Sequence, residues 1–195
     1  SWQGRDYQLP PEVVGFDNTG NAIHGFVINR PWRVIDQGGS FAVGEFQLSI
    51  DAPDAREHWP ADFILRCRYE LTGSKLRAEY EIINPDSVDL PWGLGTHTYF
   101  KVPLQKTSAP EKCLLVAPPT KQYGLIDCLP TGETRDLPSG LTLNEGVYFG
   151  SQKLDDAFGG VPADLVECLI MDEAAGLQVA QRNPGSFRDL VIYTP

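Results

Sequence analysis

Two runs of strict alternation constrain this chain more than any other feature. Phe63, Leu65, Cys67, Tyr69 and Leu71 fall on one face of an extended segment, with Arg66, Arg68 and Glu70 on the other. After Thr72-Gly73-Ser74-Lys75 the pattern returns. Leu76, Ala78, Tyr80 and Ile82 share one side, and Arg77, Glu79 and Glu81 share the other. A period of two residues fits a strand and not a helix. Two such runs around a short glycine-containing turn predict an antiparallel hairpin. One face is expected to enter a core, and the other to carry opposite charges that pair across strands.

The remaining chain extends the same reading. Phe46, Leu48 and Ile50 alternate with polar neighbours. Cys113–Pro118 reads as a short strand, and Leu190–Tyr193 as a final one. Val166–Asp172 and Leu177–Gln181 read as a second hairpin through Glu173-Ala174-Ala175-Gly176. Trp2–Pro10 looks like a short strand and its exit. Asp17-Asn18-Thr19-Gly20-Asn21 and Asn84-Pro85-Asp86-Ser87 are turn clusters, and Tyr123–Glu133 is expected to end in a Pro/Gly turn. The 19 glycines and 16 prolines are spread along the chain, as many short strands and turns require. No segment carries ten residues of helical period, no repeat recurs and no linker stands out. The expectation is one all-β domain over residues 1–195, a large antiparallel β-sandwich, with a barrel as the alternative.

Charge and cysteines narrow the function classes. The formal net charge of −10, without a basic run, argues against nucleic acid and anionic membrane as partners. No apolar stretch approaches the roughly 18 residues of a membrane span. Cys67, Cys113, Cys128 and Cys168 form no C-x-x-C pair, which argues against structural zinc and thioredoxin-type chemistry and fits a cytoplasmic location.

The candidate chemistry lies in G-L-G-T-H-T-Y-F, residues 93–100. His97 sits there between a glycine-rich approach and the pair Tyr99–Phe100, read as the end of a strand. An imidazole can donate or recover a proton near neutral pH. A histidine beside aromatics is also a common structural residue. His24, in N-A-I-H-G-F at 21–26, reads equally as a turn residue or a site residue.

Taken together, N-A-I-H-G-F at 21–26, G-L-G-T-H-T-Y-F at 93–100, L-I-D-C-L-P-T-G-E at 125–133, L-D-D-A-F at 154–158 and V-I-Y-T-P at 191–195 resemble the aldose 1-epimerase (galactose mutarotase) family. That resemblance implies a β-sandwich that interconverts the α and β anomers of free aldoses such as galactose or glucose. It implies no metal and no organic cofactor. His97 resembles the family's general acid, which protonates the ring oxygen. His24 resembles a second histidine that contacts sugar hydroxyls. Asp155 resembles a carboxylate that accepts hydrogen bonds from those hydroxyls, with Asp156 as the neighbouring alternative. Trp32, Trp92 and Tyr99 are candidates for an apolar floor under the ring, or for core packing.

The resemblance also implies a catalytic glutamate beyond the Val-Ile-Tyr-Thr-Pro segment and a site arginine before the first residue. Neither matches a position here, and Glu133, Glu145, Glu167 and Glu173 lack motif support. The expectation is therefore a partial copy that by itself shows little activity. A non-catalytic sugar-binding module and a sugar-phosphate epimerase are the alternatives. The latter would draw on Arg30, Arg33, Arg182 and Arg188.

Overall fold

The computed structural model describes residues 1–151 and 153–194. Its strands are β1 (Gly15–Phe16), β2 (Ala22–Ile23), β3 (Arg33–Gln37), β4 (Phe41–Gln47), β5 (Ile64–Thr72), β6 (Lys75–Ile83), β7 (Cys113–Val116), β8 (Lys121–Ile126), β9 (Leu129–Asp136), β10 (Val147–Tyr148), β11 (Asp155–Gly159), β12 (Leu165–Asp172), β13 (Leu177–Pro184) and β14 (Leu190–Tyr193). Helical structure among the described residues is limited to α1 (Leu48–Asp51) and the 3-10 turns Pro53–His58 and Pro110–Lys112. The fold is all-β and antiparallel throughout its ladders. Contacts group into two compact units, Ser1–Thr96 and His97–Pro195.

In the first unit a four-stranded sheet runs in the order β3-β4-β5-β6. The predicted hairpin is its main part. β5 and β6 pair without a register shift from Ile64↔Ile83 to Thr72↔Lys75. Gly73 takes φ 58, the positive angle a II′ turn needs at its first central residue. On the charged face Arg66 reaches across strands to Glu45 (2.7 Å) and Glu81 (3.2 Å). Arg68 and Arg77 instead pair along their own strands, with Glu70 and Glu79. The apolar face is buried over only part of its length. Leu65 and Cys67 are inside, whereas Leu71 and Leu76 are 54% and 63% exposed. The unit's core explains the difference, because it forms at the far end of the sheet from the hairpin tip. There Phe46 and Leu48 pack with Val13, Val14, Phe26 and Ala52. The Phe26–Trp59 rings meet edge to face at 5.4 Å.

In the second unit two four-stranded sheets, β10-β7-β12-β13 and β14-β11-β8-β9, share one core. Leu115 and Ile170 come from the first of these sheets. Phe158 and Ile192 come from the second, and Leu141 and Leu143 join from a loop. This is the stacked arrangement the alternation requires once each sheet has one apolar face. Asp172, at the end of β12, is fully buried. It accepts hydrogen bonds from Leu104 N, Ser108 Oγ and Ala175 N, which ties a long loop to the β12–β13 turn.

Four local expectations are corrected. Leu48 and Ile50 lie in α1, not in a strand: Asp62 accepts from Ser49 N and Asp51 accepts from Gln47 N, which closes a helical turn. Trp2–Pro10 holds only an isolated bridge between Trp2 and Arg5. Pro130-Thr131-Gly132 is not a turn but part of β9, an edge strand where a missing amide donor is tolerated. The chain reverses earlier, at Asp127 and Cys128, with φ 49 and 64. Finally, Gly93–Phe100 belongs to no strand. Leu94 and Thr96 are half-buried between exposed neighbours, but Thr98 is exposed with His97 and Tyr99, and among the described residues no strand pairs with the segment.

Candidate functional site

His24 is positioned by the small hairpin before it. Asp17 accepts from Thr19 N (2.9 Å), Asn21 N (2.8 Å) and Thr19 Oγ1 (2.7 Å), closing the β1–β2 turn. Those bonds, the Asn21 amide first and the Thr19 hydroxyl next, hold the Asp17 carboxyl below its ordinary range. Three residues past β2, Phe26 is buried against Trp59. Between these anchors His24 is exposed and takes φ 64, a left-handed conformation uncommon outside glycine, with Asn, Asp and His the side chains most often found there. Backbone held in that region is often found at functional sites. A shallow hollow adjoins the loop, lined by Pro11, Val13, Gly25, Phe26, Arg30 and Asp54. Its Arg30–Asp54 pair is two-pronged, at 2.9 and 2.6 Å.

His97 opens the second unit. Phe100, Val102 and Leu104 pack against that unit's core, so every second residue is drawn inward. His97 and Tyr99 come just before these anchors, and both are exposed. Their rings stack with centroids 4.7 Å apart and planes 16° from parallel. A face-on imidazole of this kind keeps its ring edge, and so its nitrogens, clear of the tyrosine.

Asp155 begins β11 in the same unit and is exposed. Its position is fixed by a reciprocal pair just before it: Leu154 N donates to Thr194 Oγ1 and Thr194 N donates to Leu154 O, both at 2.8 Å. Asp156 differs in kind. It is half-buried and accepts from Gln122 Nε2 at 2.7 Å, while Gln122 Oε1 accepts from Arg135 Nε at 3.2 Å. Asp156 is thus committed to a side-chain chain running from β9 through β8, and Asp155 is the carboxylate turned to solvent. Gln122 and Arg135 escaped the sequence reading. A single glutamine in a mixed strand gives no periodic or motif signal.

His24 therefore lies in the first unit, and His97 and Asp155 in the second. The aromatic candidates separate as well. Trp32 is a packing residue: its ring lies 5.9 Å from Phe46, and its Nε1 donates to Val27 O at 3.1 Å. Trp92 and Tyr99 are 66% and 77% exposed. Trp92 lines a second hollow with Trp2, Asn84 and Asp89. Among the four arginines considered for a phosphate, three already hold carboxylates: Arg30 with Asp54, Arg33 with Glu45 and Asp51, and Arg182 with Glu167. Among the described residues no group of three or more His, Cys, Asp or Glu side chains is placed to hold a metal ion. None of their helices is long and apolar enough to cross a membrane.

The family model described as Aldose 1-epimerase matches residues 1–195. Among solved structures, a galactose mutarotase-like protein from Clostridium acetobutylicum is 25% identical, with a TM-score of 0.80 over 97% of this chain and 59% of that one. A candidate aldose 1-epimerase from Escherichia coli K12 is 20% identical, with a TM-score of 0.70 over 92% of this chain and 55% of that one. A galactose mutarotase related enzyme from Lactobacillus acidophilus is 15% identical, with a TM-score of 0.67 over 83% and 53%. The chain spans between 53% and 59% of the length of these three proteins.

Proposed function

The chain belongs to the aldose 1-epimerase family, and from that premise we propose that it carries the acid and the hydroxyl-binding groups of a site that interconverts the anomers of a free aldose. The observation that carries this reading is the family match across residues 1–195. In the proposed reaction His97 donates a proton to the ring oxygen while a base removes the proton of the anomeric hydroxyl. The ring opens, the aldehyde end turns, and the ring recloses with the other configuration. Asp155 accepts hydrogen bonds from sugar hydroxyls, and His24 orients the reacting end. The exposure of His97 and Asp155 supports these roles, since a sugar must reach both. A carboxylate is suited to vicinal hydroxyls because charge-assisted hydrogen bonds are the stronger kind. No glutamate in the 195 residues has motif support as the base, so this chain is assigned sugar binding and proton donation, without full catalysis.

Polarimetry on freshly dissolved α-D-galactose and α-D-glucose, paired with saturation-transfer NMR, tests the proposal. The expected result is aldose binding with mutarotation only slightly above buffer, and loss of that small acceleration in His97→Asn with binding kept. Absence of aldose binding would refute the sugar reading. An ordinary enzymatic rate would refute the absence of a base. Binding with no dependence of rate on His97 would leave a sugar-binding module as the function.

A further inference from the structure

We infer that the outer edge of β6 is a pairing surface for a second copy of this chain, joined antiparallel about a two-fold axis at Ala78. Among the described residues β6 is hydrogen-bonded on one side only, to β5. At nine residues it is an unusually open edge: it has no proline, no glycine and no register shift along its pairing with β5. Most other edges of the four-stranded sheets are blunted. β9 contains Pro130 and Gly132, β3 carries an irregularity between Val34 and Asp36, and β10 and β14 are short, while β13, eight residues long, ends in Pro184. Natural edge strands are usually protected by devices of this kind, by charge among them.

β6 does carry charges, but their order invites its own copy. With Ala78 opposite Ala78, Lys75 faces the partner's Glu81 and Arg77 faces the partner's Glu79. On the other side of the sheet Leu76 faces the partner's Tyr80. Two-fold symmetry repeats each contact, so every charged residue from 75 to 81 meets its opposite and every apolar one meets an apolar one. No neighbouring register does this. Centring on Arg77 or Glu79 sets that residue against itself. Centring on Leu76 sets Lys75 against Arg77, and centring on Tyr80 sets Glu79 against Glu81. A shift by a single residue puts charged side chains opposite apolar ones, because facing residues share a side of the sheet. Opposite charges directly across strands stabilise a pairing and like charges destabilise it. The side chains are available: Leu76 is 63% exposed, and Lys75, Arg77, Glu79 and Glu81 are all exposed. Arg77 holds Glu79 of its own strand at 2.7 Å. In the pair both would keep an opposite charge within reach.

Sedimentation of the 195-residue chain over a concentration series, with Lys75→Glu and Glu81→Lys as separate variants, tests the inference. These positions disturb the hairpin least. Lys75 faces Thr72 within it, and Arg66, opposite Glu81, also holds Glu45. Wild type should dimerise reversibly. Each variant alone should dimerise at least about tenfold more weakly, because two facing pairs become like-charged. An equimolar mixture of the two variants should restore the dimer, since their reversed charges then face one another, and a folding defect in either cannot produce that rescue. A monomer up to about 100 µM overturns the inference. So does self-association indifferent to both substitutions, which would place the contact on the exposed apolar face, or a monomer whose β6 amides are protected from hydrogen exchange on both sides.

Discussion

A buried carboxylate illustrates how single residues hold this fold. Asp62 is 5% exposed and sits under α1. Burial alone would raise its pKa. Hydrogen bonds from Ser49 Oγ (2.6 Å), Gln47 Nε2 (2.7 Å), Ser49 N (2.9 Å) and Phe63 N (3.0 Å) outweigh that and hold it below the ordinary 3.8. A carboxylate depressed in the native state stabilises it fully above the unfolded value, and that stabilisation is lost as pH falls through the native one. Urea unfolding should therefore show stability falling with acid as pH drops through 3.8, where Asp62 is half-protonated in the unfolded chain and still ionised in the native one. Asp62→Ala leaves several donors unpaired and should cost about 1–3 kcal/mol at neutral pH. Its stability should also fall less steeply with acid than that of wild type. Equal acid slopes in the two proteins would contradict this account.

Among elements, the turns show which backbone positions are committed and why. Gly73 has φ 58 with open space where a Cβ would stand, so Gly73→Ala meets only a backbone penalty, about 1 kcal/mol. Gly146 has φ 112, and an added Cβ would come within 2.7 Å of the Leu114 side chain. Gly146→Ala should thus be clearly the more destabilising of the two by urea denaturation, and equal losses would show that packing at Leu114 yields freely. Both hairpins named from alternation formed, because a period-two pattern with a turn between its halves has few other ways to bury one face. Leu48 and Ile50 misled for a physical reason: three residues of alternation are too few to outweigh a helical turn closed by Asp51 and Asp62. The reversal at Asp127-Cys128 was hidden because Pro130 and Gly132 nearby carry the stronger turn signal in sequence.

For the whole molecule, charge weighs against the sugar-phosphate alternative. The chain has a formal net charge of −10, and three of its four candidate phosphate-binding arginines are held by carboxylates. A neutral aldose meets no penalty from that field, whereas a sugar phosphate does. Thermal-shift titration should find D-glucose 6-phosphate no more stabilising than D-glucose or D-galactose; a larger shift with the phosphate would favour a sugar-phosphate epimerase. A ligand at 100 times its Kd adds about 2.7 kcal/mol to a folded state, enough to resolve the comparison.

The sequence by itself determined the strand-rich class, the hairpins at β5–β6 and β12–β13, and the family through its motif blocks, because periodicity and motif order are properties of the chain. Tertiary structure alone decided that Asp156 is bound to Gln122 and Asp155 faces solvent, that Trp32 packs against the first unit's core, and that half of the hairpin's apolar face lies open. Those outcomes depend on which distant strand lies alongside, and a residue's neighbours across a sheet are not written in its neighbours along the chain.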